Sequence, residues 1–201
     1  MEISQSAAAL WAAGIGVGAS AVASLIAARA AREQAEVGAK AQLEAVRLQA
    51  AEAHSQEKKR RQQRVYADFY MAANILRAAC VDAEQTLKEV PSNAAPSELD
   101  EADANFTVHD DELHRKSRDL WHGYSAVCLE GPDAVADAAE RLFGAFVDFV
   151  EAIKDWAKQV MTRDGFRSDD EDEATARIRE LEQRMITLTK EFMEEAQGVL
   201  K

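Results

Sequence analysis

The chain has 201 residues and a formal net charge of −12, with 9 glycines and 3 prolines. That length suits one ordinary domain plus an accessory segment; few turn residues beside abundant Ala, Leu, Glu, Gln, Lys and Arg argue against sheets and for an all-α fold. The charge is divided, with nine Lys/Arg against five Asp/Glu over residues 29–64 and fifteen against thirty over residues 65–201; an acidic body repels phosphates, so no nucleic-acid partner is expected.

From Ser6 to Ala28 no residue is charged. A helix of that length reaches ~34 Å, against ~30 Å for a hydrocarbon core, which predicts a transmembrane anchor over residues 1–29. Leu10, Trp11, Gly14, Ile15, Gly18, Val22, Leu25 and Ile26 would be its apolar anchor residues, and Arg29 and Arg32 its charge anchor. The positive flank implies a single-pass cell-membrane protein with the C-terminal body cytoplasmic. A cleaved signal peptide is the main rival, with small residues around Ala28-Arg29-Ala30 but no basic n-region. Gly14 and Gly18 form a G-x-x-x-G, a candidate homo-oligomer face in lipid.

Residues 30–64 contain no proline and one glycine, Gly38, and should continue the helix as a stalk. Ala39, Leu43, Val46, Ala50 and Ala53 keep the spacing of a coiled-coil seam, with little burial from each alanine. Beyond them Lys58, Lys59, Arg60, Arg61 and Arg64 are the densest positive cluster in the chain and form a candidate docking patch for an acidic partner. The alternatives are a solvated face turned to the acidic body, or lipid contact by a stalk lying flat.

Four helical stripes follow over residues 65–201. The first runs Val65, Phe69, Ala72, Leu76, Ala79, Ala83, Leu87 and Val90, and stops at Pro91. The second shows Leu99, Phe106, Leu113, Leu120, Tyr124 and Val127 after an opening expected to be frayed or irregular. Gly131-Pro132 breaks the chain before the strongest stripe, Val135, Ala139, Leu142, Phe146, Phe149, Ile153, Trp156 and Val160, widened by Phe143, Val147 and Val150. A serine and a run of acids from Ser168 open the fourth, whose seam is Ala174, Ile178, Leu181, Met185, Leu188, Phe192 and Val199. An acidic antiparallel four-helix bundle is the economical fold, with Phe69, Phe106, Trp121, Phe146, Phe149, Trp156 and Phe192 filling its core.

Chemistry is not expected of it. A di-metal bundle needs Glu-x-x-His on two helices, whereas Asp111-x-x-His114 and Asp119-x-x-His122 share one. The acidic run lacks the glycine and ligand spacing of a calcium loop. Cys80 and Cys128 have no neighbouring histidine and fall too far apart along paired helices to bridge, so both read as small half-buried side chains. No cofactor and no enzyme activity are expected, a bundle metalloenzyme being the least supported alternative.

Gln62-Gln63-Arg64-Val65-Tyr66-Ala67-Asp68-Phe69-Tyr70, placed after an apolar segment and a charged stalk, resembles single-pass membrane-anchored helical proteins of actinobacteria. That group has no established activity, and the resemblance implies only a bacterial membrane. The sequence thus predicts a membrane-tethered interaction module that presents an acidic bundle to a protein partner. Its rival is a membrane sensor or effector signalling through a continuous stalk and span.

Overall fold

The computed structural model describes residues 3–91, 94–162 and 168–201, with the side chains of residues 3–23, Leu25, Ile26 and 168–171 outside what it describes. The described residues are helical throughout except at the connections: α1 is Ile3–Lys88, α2 Pro96–Glu130, α3 Asp133–Thr162 and α4 Ser168–Leu200. They divide into two compact units, Met1–Gln56 and Glu57–Lys201.

The first unit holds the leading part of α1. Every residue from Ala27 to Gln56 is exposed. Its charges recur nearly every turn, from Arg29, Arg32, Glu33 and Glu36 to Lys40, Glu44 and Arg47. Such charges cost roughly 2.5–3.5 kcal/mol each at the centre of a bilayer. Among the described residues no helix is long and apolar enough to cross a membrane. The expected single-pass membrane localisation is corrected accordingly, and with it the cytoplasmic orientation of the body. Leu10, Trp11, Gly14, Ile15, Gly18, Val22, Leu25 and Ile26, including the Gly14/Gly18 face, have side chains outside the described residues. Arg29 and Arg32 are exposed, and Arg29 Nε stands 3.6 Å from Glu33 one turn on, an ordinary surface pair.

The second unit is an antiparallel four-helix bundle. Its register can be read from cross-helix contacts. On α1 and α2, Gln62 meets Glu130 while Thr86 meets His109. Between α2 and α3, Lys154 meets His114 and Tyr124 stacks on Phe143 with ring centroids 5.1 Å apart. On α3 and α4, Arg141 meets Glu191 and Asp148 meets Arg184. Phe69 and Phe192 close α4 back onto α1 at 5.0 Å. In each of the first three pairs the residue numbers rise on one helix as they fall on the next, so consecutive helices are antiparallel, as short connections require, and α4 therefore runs opposite to α1.

The stripes expected from the sequence supply the core. Phe69, Leu76, Leu113, Leu120, Leu142, Phe146, Phe149, Ile153, Trp156, Ile178, Met185 and Phe192 are all buried. Twelve buried positions lie on α3 and five on α2, so α3 is the more deeply buried of these two helices. Trp121 is a correction: half of its surface is exposed. It follows Leu120, which is fully buried, and a helix turns each successive side chain by about 100°. The step of one residue takes the indole off the core face, where it packs edge-on to the His122 ring at 5.1 Å.

Connections are set by local chemistry. The opening of α2 is regular helix rather than frayed: Pro96 occupies the first turn and the Glu98 carboxylate accepts from the Ala95 backbone N–H. At the other end the Gly131 N–H closes on the Val127 carbonyl at 2.8 Å. A Cβ on Gly131 would lie 2.8 Å from that oxygen and 3.2 Å from Tyr66 Oη, so only glycine fits. Gly123 has the same role mid-helix, since a Cβ there would stand 3.1 Å from Phe69 Cα. The bundle needs this close approach of α1 and α2 at the level of its aromatic core.

Candidate interaction surface

The positive cluster lies where α1 enters the bundle. Lys58, Lys59, Arg60, Arg61 and Arg64 are all exposed. Between them Gln62 is buried and donates from Nε2 to the Glu130 backbone carbonyl at 2.7 Å, taking up one of the carbonyls that the C-terminus of α2 leaves open. Arg61 Nη1 stands 3.5 Å from Glu130 Oε1. One of the five cations is therefore turned to the bundle, while Lys58, Lys59, Arg60 and Arg64 make no ion pair among the described residues. Arg60 and Arg64 are one turn apart on the same face, as are Lys58 and Arg61 at three residues, and like charges so placed repel. The patch works against its own helix and is anchored from within by Gln62.

Two other polar clusters on the bundle are paired internally. The Lys154 ammonium lies 2.6 Å from Asp110 Oδ1 and 3.0 Å from His114 Nδ1, across a groove of about 350 Å³ lined also by Asp103, Phe106, Lys158 and Met161. His109 Nε2 meets Thr86 Oγ1 at 3.0 Å. A smaller groove of about 200 Å³ between α1 and α2 exposes Met71 and Ile75 beside Asp68, Lys116 and Asp119. Among the described residues no three His, Cys, Asp or Glu side chains come together as metal ligands. His122 and Asp119 are exposed, as is Asp111.

Both cysteines are free. Cys80 is fully buried, and burial, with the neighbouring Glu84 charge, pushes its thiol up to about 12. Glu84 is itself buried and ion-paired to Lys88 at 2.6 Å. Cys128 corrects the half-buried expectation, for it is exposed on the outer face of α2. A hydrogen bond to Cys128 is the main cause that raises the Tyr124 phenol to about 12. A thiol pushed up by burial is a poor nucleophile, so Cys80 is a packing residue.

Gln62, Glu84 and Tyr66 are buried although none is among the stripe residues that the sequence marks. Gln62 and Glu84 are polar types that usually mark a solvated face, and only the position of Gln62 three and seven residues before Val65 and Phe69, on the same stripe, could have flagged it.

The fold and surface together define a four-helix bundle with a segregated cationic patch. The chain matches no protein-family model, no curated protein and no solved structure.

Proposed function

We propose that the chain is a helical protein-interaction module whose cationic patch, Lys58, Lys59, Arg60 and Arg64, docks an acidic surface of a protein partner. The supporting observation is that four exposed cations within residues 58–64 lack ion partners among the described residues, although the rest of the bundle sequence carries a large acidic excess. Helix-neighbour repulsion within the patch disfavours it in the free protein, and an anionic partner would relieve that repulsion. The acidic remainder of the surface would steer orientation and exclude acidic competitors elsewhere on the bundle.

The test is charge reversal. A chain carrying Lys58→Glu, Lys59→Glu, Arg60→Glu and Arg64→Glu should lose the partner that the wild type recovers from its native cells, with thermal unfolding unchanged. Recovery of the same partner by both chains at matched salt would refute the docking role.

A further inference from the structure

Every residue of α1 from Ala27 to Arg61 is exposed, so its large apolar side chains face water: Leu43 56% and Val46 63% exposed on one side of the helix, and Val37 and Leu48 off that side. Ala39, Leu43, Val46, Ala50 and Ala53 hold the d-a-d-a-d positions of a heptad seam. The flanks are phased with it. Gln42, Gln49 and Gln56 recur every seven residues on one side, at g, and Lys40, Arg47 and His54 on the other, at e.

In a parallel pair each g residue meets the e residue of the following heptad on the second helix. Gln42 would then face Arg47 and Gln49 would face His54, an amide oxygen accepting from a nitrogen donor each time. An antiparallel pair sets the two e rows against each other and opposes cation to cation. We propose that residues 39–53 form a parallel two-stranded coiled coil with a second copy of this chain. The occupant is a second copy because both complementary rows are present on this one helix, neutral acceptors on one flank and cations on the other. Glu36 and Glu57 occupy the a positions just outside the seam, where identical carboxylates would meet, so the pairing is bounded to these two heptads.

The test uses the full chain with Cys128→Ser, since Cys80 is buried. In that background Ala39→Cys and Ala53→Cys, each alone, should yield a covalent dimer under mild oxidation, whereas Leu48→Cys, at the outward f position, should not. Sedimentation at tens of micromolar should give twice the chain mass, falling to the chain mass on Val46→Glu with helicity retained. A wild-type monomer, a larger assembly, or a cross-link that appears only when the Ala39→Cys and Ala53→Cys chains are mixed, as an antiparallel pair would give, each overturns the proposal.

Discussion

Phe69 and Phe192 meet edge to face, ring centroids 5.0 Å apart and planes at 76°, and this contact closes the ring of four helices by joining the last to the first. Both rings are fully buried. Phe192→Ala should cost about 3–5 kcal/mol through lost burial and the cavity left behind. In a double-mutant cycle with Phe69→Ala the coupling should be about 0.5–1.5 kcal/mol, measured by urea unfolding. Fully additive effects would show that the two rings contribute separately.

Gly123 and Gly144 should respond in opposite directions to the same change. Alanine at Gly123 brings a Cβ to 3.1 Å from the Phe69 backbone, which must yield, and about 1–3 kcal/mol of stability should be lost. At Gly144 nothing lies within 4 Å of the new methyl, so the helix preference of alanine should add about 0.5–1 kcal/mol. Thermal unfolding of the two variants decides it.

Gln62 ties the cationic patch to the bundle. Gln62→Leu keeps side-chain bulk but leaves the Glu130 carbonyl without its 2.7 Å donor, a loss of about 1–3 kcal/mol. Amide exchange should accelerate first at the last turn of α2 and at residues 61–66, while exchange at the level of Phe149 stays slow. Uniform acceleration would contradict a local anchoring role.

The two thiols should behave differently. Cys128 should react with a thiol reagent in the native protein, and Cys80 only on unfolding. Cys80 has a folded value raised to about 12 from 9.0, so the unfolded chain gives up its proton first as pH rises. Its contribution to stability is complete below pH 9 and is lost progressively towards pH 12. A Cys80→Ala chain should therefore show a shallower stability decline between those limits than the wild type.

Most of the bundle was legible because its helices bury one face: the stripe from Val135 to Val160 has the period of a helix, and seven of its eight members are buried, with Val160 half-buried. Trp121 lies off the core although its residue type suggests burial, because one step around the helix from Leu120 suffices to put a large side chain in water. The close passage at Gly123 left no trace in hydrophobic patterning, since a missing side chain carries no hydropathy signal. The patch from Lys58 to Arg64 was visible as charge. Its anchor was not, because Gln62 is buried through a hydrogen bond to a backbone carbonyl that only the antiparallel register brings within reach.

A photo-cross-linking residue in place of Lys59, within the patch, compared with one in place of Glu180, exposed on α4, tests the docking role most directly in native cells. The expected result is a discrete adduct with another protein from position 59, none from position 180, and disappearance of the adduct when Arg60 and Arg64 are also reversed to glutamate. Equal adducts from both positions, or none from position 59, would contradict it.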